Sequence, residues 1–220
     1  PLWSRGLGDV YKRQHSNLAR VRRGRTSATI LADNTTFFSL HKGSAALDAV
    51  RLATAFFGKG QFVSDGLVVE DGRFILRQVL EGPYFQPLTP QQIAAGEHIA
   101  MAPQGTVTGN RAEFRKATNV QRLETTVEIT EQEGVFSLAF SVTGTPDVPV
   151  TIELAFRHGG ALDGVEPSGN AGNAFLLPTG TGRYTVGDDT IAFGPGLRDH
   201  TYTQIRGAVA KWDGQSVFLT

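Results

Sequence analysis

Three consecutive segments in the middle of the chain alternate apolar and polar residues with a period of two. That period places every second side chain on one face of a pleated strand. Residues 132–134 and 144–147 separate the segments and are rich in turn-forming residues. We therefore predict an antiparallel meander with one buried face. The shared faces are Leu123, Thr125, Val127 and Ile129; Phe136, Leu138, Phe140 and Val142; and Val150, Ile152, Leu154 and Phe156.

Shorter strand patterns fill most of the remaining chain. Asp71-Gly72 separates two of them and favours the positive φ angles of a tight hairpin turn. Residues 45–57 fit either a helical stripe or a strand, and the hairpins predicted on both sides favour a strand. The best helix candidate is 90–95, because Thr89 can cap it and Pro90 suits its first position. The other predicted strands are 27–31, 35–40, 67–70, 73–81, 174–177, 183–186, 190–193 and 216–219.

These patterns together define the expected fold class. They amount to about a dozen strands with little helix, and no internal repeat of constant period is present. We therefore predict an all-β protein, built as a large antiparallel β-sandwich.

The first fourteen residues differ in character from the rest of the chain. Residues 4–14, SRGLGDVYKRQ, resemble one reading frame of an adapter used to prepare sequencing libraries. We expect residues 1–14 to be non-native, and residues 15–220 to be a single β-sandwich domain truncated at both ends of a longer parent protein. Without residues 1–14 the formal net charge changes from 0 to about −2.

Composition narrows the possible sites and partners. The chain has no cysteine, which excludes disulfides and thiolate metal sites. Its five histidines show no metal-binding spacing, and no phosphate-loop pattern is present. We therefore expect no metal and no cofactor. No apolar run approaches the roughly 20 residues of a transmembrane helix, so we expect no membrane partner.

A short basic run, Arg20, Arg22, Arg23 and Arg25, permits three interpretations. It could bind nucleic acid, attract an acidic substrate, or protect a strand edge from pairing with another chain. The run is short and lacks interleaved aromatic residues, which favours the strand edge. We expect no nucleic-acid partner.

Two aromatic segments are candidates for ligand contact. Residues 56–62, FFGKGQF, fit a strand that ends in a glycine bulge with its three phenylalanines in the core, and less well a functional loop. Tyr84 lies in a segment bracketed by prolines, where it could stack on a sugar ring or pack a sheet edge. Trp212, beside a predicted turn, is a second candidate for sugar binding. The candidate substrate-binding residues are therefore Tyr84 and Trp212.

Residues 193–202 form the loop with the most reactive side chains. His200 and Tyr202 could exchange protons with a substrate, and Arg198 could neutralise a substrate carboxylate. These three residues are the catalytic candidates. The alternative interpretation is a turn with surface polar residues.

Residues 46–62, 82–88 and 191–200 together resemble, in general character, the β-sandwich part of bacterial heparinase II/III-like polysaccharide lyases. In that family a helical toroid precedes the sandwich and supplies several catalytic residues. The resemblance implies the C-terminal part of a lyase that cleaves acidic polysaccharide by β-elimination and is incomplete as an enzyme alone. It further implies a polysaccharide substrate, a missing N-terminal domain of the same chain as partner, and a periplasmic or secreted location.

The alternative hypothesis is a module without catalytic activity. In this interpretation the sandwich binds carbohydrate, or serves only as a structural domain, and is attached to another enzyme.

Overall fold

A computed structural model describes residues 9–12, 17–95, 116–169 and 172–220, with the backbone alone for residues 9–12. This part of the chain forms sixteen strands and one short helix, which confirms the predicted all-β class. The elements are β1 (Asp9–Lys12), β2 (Leu18–Arg23), β3 (Thr26–Leu31), β4 (Phe38–Lys42), β5 (Ala45–Thr54), β6 (Leu67–Glu70), β7 (Arg73–Phe85), α1 (Pro90–Ala94), β8 (Ala117–Gln132), β9 (Val135–Gly144), β10 (Val150–Phe156), β11 (Ala161–Asp163), β12 (Glu166–Pro167), β13 (Ala174–Leu176), β14 (Gly182–Val186), β15 (Asp189–Phe193) and β16 (Gln215–Leu219).

The strands form three sheets. A nine-stranded sheet has the order β1-β2-β3-β4-β5-β10-β16-β13-β12, a four-stranded sheet the order β6-β7-β8-β9, and a three-stranded sheet the order β11-β14-β15. Neighbouring strands are antiparallel except β13 and β16, which are parallel. Of the predicted non-native segment, residues 9–12 pair with β2, while residues 1–8 and 13–14 lie outside the described part of the chain.

The four-stranded sheet packs face to face on the nine-stranded sheet and forms the sandwich. Phe38 of β4 meets Phe136 of β9 at 5.5 Å between ring centroids, and Phe37 meets Phe140 at 6.4 Å. Alternate residues of β8 are buried against the same core, as the period of two predicts. They are Leu123, Thr125, Val127 and Ile129.

The three-stranded sheet covers another part of the same face. Phe156 of β10 stacks on Tyr184 of β14 at 4.7 Å between centroids, and Phe193 of β15 lies 4.9 Å from Phe156. The buried Tyr184 hydroxyl donates a 2.6 Å hydrogen bond to the Arg157 carbonyl. Burial raises the pKa of Tyr184 above its ordinary value, which favours the neutral phenol that donates this bond.

The predicted three-strand meander is wrong in its third strand. Strands β8 and β9 form a hairpin, but β10 pairs with β5 and β16 in the opposite sheet. Gly144 and Asp147 both have positive φ, and the chain leaves the four-stranded sheet there. Strand β10 is also buried on both faces, where a meander edge would have one solvated face. Periodicity identified the strand but carried no information about its partner.

Most of the local predictions are confirmed. Asp71 and Gly72 both have positive φ in the β6–β7 turn, and the ambiguous segment 45–57 holds strand β5. Helix α1 begins after Thr89, whose side chain accepts a hydrogen bond from the Gln92 amide while Gln92 caps Thr89 in return.

The basic run lies beside the acidic ends of two hairpins. Arg23 forms two 3.1 Å hydrogen bonds with Glu131, and Arg25 donates a 2.8 Å hydrogen bond to Asp189. The hydrogen bond from Arg23 holds the pKa of Glu131 below its ordinary value of 4.5. Hydrogen bonding from the Ser44 amide, followed by Arg25, lowers the pKa of Asp189. Two of the four arginines therefore join strands through ion pairs.

The Phe156 ring joins the three-stranded sheet to the nine-stranded sheet, so its removal should be costly. We expect Phe156→Ala to lower the free energy of unfolding by about 3–5 kcal/mol, because it leaves a cavity beneath Tyr184 and Phe193. Val68→Thr, at an exposed position of β6, should change it by less than about 0.5 kcal/mol. Urea denaturation measures both, and equal effects would contradict the role given to Phe156.

The ionisation of Glu131 should make the free energy of unfolding depend on pH in the acidic range. Its pKa is lower in the folded protein, so its stabilisation is present above about pH 4.5 and is lost as pH falls through the folded value. We expect Glu131→Gln to be less stable than wild type at pH 7, with a smaller loss of stability between pH 5 and pH 3. Urea denaturation across this range measures it, with Glu70→Gln at an exposed position as the control. An unchanged pH dependence in Glu131→Gln would contradict the assignment.

Candidate functional site

The loop predicted to carry chemistry covers the outer face of β5, β10 and β16. Residues 197–212, which include most of the predicted segment 193–202, hydrogen-bond to the residues beneath: the Thr151 hydroxyl donates to the Tyr202 carbonyl at 2.9 Å, and the Gln61 side chain accepts from the Val209 amide at 3.1 Å. We call residues 197–212 the covering loop. Thr220 donates its amide to the Leu197 carbonyl at 3.1 Å. The loop is thereby fixed along its length.

A buried ion pair lies under this loop. Arg51 of β5 and Glu153 of β10 are register partners, only 6% and 7% exposed, and their charged atoms are 2.5 Å apart. Glu153 also accepts hydrogen bonds from the Ser216 hydroxyl at 2.6 Å and the Trp212 amide at 2.9 Å. Arg51 donates to the Ala210 carbonyl at 3.0 Å. The Glu153 carboxylate thus has three partners and the Arg51 guanidinium two, while the buried Arg51 Nε has no hydrogen-bond partner among the described residues.

Trp212, a predicted sugar-binding residue, is half-buried and packs against this ion pair. The Arg51 guanidinium lies over its indole ring at 5.4 Å from the centroid, a cation–π contact. A cavity of about 30 Å³ adjoins Arg51 and Glu153. It has room for about one water molecule and is far smaller than a sugar site. Trp212 therefore stabilises the ion pair by packing on Arg51. Its role in sugar binding stays a prediction.

His200, a predicted catalytic residue, uses both of its ring nitrogens. Its Nε2 lies 3.1 Å from the Val150 carbonyl, and its Nδ1 accepts a 3.1 Å hydrogen bond from the Tyr202 amide. A carbonyl can only accept and an amide can only donate, so this pattern fits the neutral ring with its proton on Nε2. Neither nitrogen has a free lone pair for taking a proton in this arrangement.

The other two catalytic candidates, Tyr202 and Arg198, have different surroundings. The Tyr202 side chain is 60% exposed and its ring lies 5.1 Å from that of His200. Arg198 instead donates a 3.1 Å hydrogen bond to Glu166 of β12. The structure therefore brings His200 and Tyr202 together. Arg198 does not join them, because its guanidinium pairs with Glu166.

Tyr84, the second predicted sugar-binding residue, forms an exposed aromatic pair with Phe57. Their ring centroids are 5.1 Å apart and the planes are inclined at 71°, with 56% of Tyr84 and 41% of Phe57 exposed. Phe56 and Phe62 are buried, but Phe57 is not, so the prediction that all three phenylalanines lie in the core is wrong for Phe57. We call these two residues the Phe57–Tyr84 pair.

The backbone holds Phe57 toward Tyr84. Phe57 has φ of +49°, a left-handed conformation that is uncommon for a bulky residue. The ring lies against Gly82, where a Cβ atom would approach Phe57 Cδ2 to 2.3 Å. Lys59 fixes the loop by donating a 2.7 Å hydrogen bond to the Glu81 carbonyl. The sequence showed the phenylalanines and glycines, but the outward turn at Phe57 depends on backbone strain that a pattern does not reveal.

Several classes of site are absent from the described residues. Within the ranges that the structure describes, no group of three or more His, Cys, Asp or Glu residues is placed to hold a metal ion. In the same ranges no helix is long and apolar enough to cross a membrane. Comparisons of the chain with family models, with curated proteins and with solved structures give no match.

The buried ion pair should be the most sensitive polar element of this region. Arg51→Ala leaves the Glu153 carboxylate buried and unpaired, and we expect a loss of about 3–5 kcal/mol in the free energy of unfolding. Arg157→Ala removes the 2.8 Å ion pair with Asp48, in which the arginine is largely exposed, and should cost about 0–1 kcal/mol. Urea denaturation of both variants tests this. A loss below about 1 kcal/mol for Arg51→Ala would show that the pair contributes little.

Proposed function

We propose that this chain is a non-catalytic β-sandwich module that binds polysaccharide, with the Phe57–Tyr84 pair as the surface on which a sugar ring stacks. The observation that carries the proposal is the exposure of both rings in one fixed arrangement. An exposed aromatic ring offers an apolar face to the C–H groups of a sugar. A ring that is already ordered loses little conformational entropy on binding.

The hydrogen bonds of the loop favour binding over catalysis. β-Elimination requires a base that removes the proton next to a uronic carboxylate. Both nitrogens of His200 are engaged by backbone groups, and Arg198 is paired with Glu166. The loop therefore serves the stability of the sheet, and the exposed aromatic surface lies elsewhere, on β7 and the turn after β5.

The second candidate is the sandwich part of a heparinase II/III-like lyase acting on acidic polysaccharide with a missing N-terminal domain. One observation favours it: the exposed Tyr202 phenol lies beside His200. In the full-length parent, Tyr202→Phe or His200→Ala should then abolish turnover of an acidic polysaccharide, and unchanged turnover would remove these residues. Either proposal places the protein where polysaccharide is found, in the periplasm or outside the cell.

Loss of the Tyr84 ring should weaken sugar binding. We expect Tyr84→Ala to lower the affinity for a neutral hexasaccharide about tenfold or more, and Tyr84→Phe to retain most of it because the ring face remains. Isothermal titration of the 220-residue chain measures both. Tyr202→Ala, at a tyrosine of similar exposure, is the matched control and should bind as wild type.

Gly82 offers a variant that keeps both aromatic residues. Gly82→Ala places a methyl group where the Phe57 ring lies, so the ring must move away from Tyr84. We expect Gly82→Ala to bind the hexasaccharide more weakly than wild type. Its urea midpoint should stay close to that of wild type, as that of the control Val68→Thr does. Wild-type affinity in both Tyr84→Ala and Gly82→Ala would reject the proposed surface, and a preference for acidic over neutral glycans would favour the lyase part.

A further inference from the structure

A large cleft opens between the sheets on the side away from the Arg51–Glu153 pair. It has a volume of about 750 Å³. Strand β9 of the four-stranded sheet and strand β15 of the three-stranded sheet form its walls, and β4, β5 and β10 form its floor. Its apolar lining includes Leu40, Phe136, Leu138, Ile152, Phe193 and Leu219.

The cleft exists because the two smaller sheets do not join. Strands β9 and β15 each end their sheet, and in the described residues neither pairs with a further strand. The nine-stranded sheet is wider than the four-stranded sheet above it, so some apolar side chains of its inner face, such as Leu40, Ile152 and Leu219, stay only half-buried in the gap. Volumes of roughly 300–1,000 Å³ with mostly apolar walls and few polar groups are typical of small-molecule sites.

One charged side chain lines this cleft. Lys42 is two residues beyond Leu40 on β4, so it continues the inward-facing row of Phe38 and Leu40 at the open end. Its ammonium group makes no hydrogen bond or ion pair with any residue that the structure describes. The hydroxyl-bearing residues Thr26 and Thr190 line the cleft as well.

The neighbouring cations differ from Lys42 because they already have acidic partners. Arg23 pairs with Glu131, and Arg25 pairs with Asp189. Lys42 is solvent-exposed at the end of the inward-facing row, where the cleft opens. A lysine at the end of an apolar row and without a counter-charge offers a site for an anion attached to an apolar chain.

We propose that the cleft binds a fatty-acid anion, with the alkyl chain along the apolar floor and the carboxylate at Lys42. Charge complementarity at Lys42 supports an anionic head, and the apolar lining supports an unbranched hydrocarbon tail. The site is separate from the Phe57–Tyr84 pair, neither of which lines the cleft. The two proposals can therefore fail independently.

Chain length and head group provide the first test. Isothermal titration of the 220-residue chain with octanoate, decanoate and dodecanoate should show binding that tightens about fourfold per added methylene, from about 0.8 kcal/mol per buried CH₂. Dodecanoate should bind about tenfold more tightly than dodecanol. Affinity independent of chain length, equal affinity for acid and alcohol, or no binding would each overturn the proposal.

Two variants locate the site. Lys42→Met keeps an apolar stem without the charge, and should weaken dodecanoate binding about tenfold while leaving dodecanol binding unchanged. Lys116→Met, at an exposed lysine that does not line the cleft, is the matched control and should bind dodecanoate as wild type. If both lysine variants bind dodecanoate equally weakly, the loss comes from the change in net charge, and the assignment to Lys42 is overturned.

Filling the cleft tests the tail. Leu138→Trp enlarges a half-buried side chain that lines the cleft and should abolish dodecanoate binding, whereas Leu197→Trp, at an exposed loop position, should not. A wild-type urea midpoint for Leu138→Trp shows that this variant folds. If Leu138→Trp does not fold, the comparison of Lys42→Met with Lys116→Met tests the proposal instead. Tyr84→Ala should bind dodecanoate as wild type. Displacement of dodecanoate by an extended apolar peptide that binds more tightly would overturn the proposal in favour of a strand as occupant.

Discussion

The Arg51–Glu153 ion pair allows the nine-stranded sheet to be buried on both faces at its centre. The inner face of β5 and β10 carries apolar residues, as any sandwich core does. The outer face carries two opposite charges that are almost inaccessible to water. Their hydrogen bonds to Trp212 and Ala210 fix the covering loop, and the bond from Ser216 joins Glu153 to β16. The loop that covers this face is thus held by a polar cluster, beside the buried apolar residues Ile205 and Phe218.

This cluster changes the interpretation of the covering loop, residues 197–212. Its histidine, arginine and tyrosine are the residue types of proton-transfer chemistry, and their proximity in the sequence favoured a catalytic interpretation. In the structure His200 bridges two backbone groups and Arg198 pairs with Glu166. Among the three side chains, that of Tyr202 makes no hydrogen bond with any residue that the structure describes, and it is 60% exposed.

The sequence predicted local structure well and long-range structure poorly. Alternation identified the strands, and Asp71-Gly72 and Thr89-Pro90 identified a turn and a cap, because those signals act between residues close in the chain. The placement of β10 in the opposite sheet, the parallel pair β13–β16 and the gap between β9 and β15 depend on distant partners. The exposed position of Phe57 depends on a positive φ angle, so the sequence indicated Tyr84 but not its pairing with Phe57. The cleft beside Lys42 depends on how distant strands assemble, so no pattern in the sequence indicated it.

The central claim is that polysaccharide binds at the Phe57–Tyr84 pair and not at the loop that contains His200. The most direct measurement is the change in backbone amide NMR shifts of the ¹⁵N-labelled chain during titration with a neutral hexasaccharide. The account predicts shifts confined to residues 56–60 and 82–86 and the paired residues 117–121 of β8. Shifts centred on residues 198–202, with the Phe57–Tyr84 region unchanged, would contradict it.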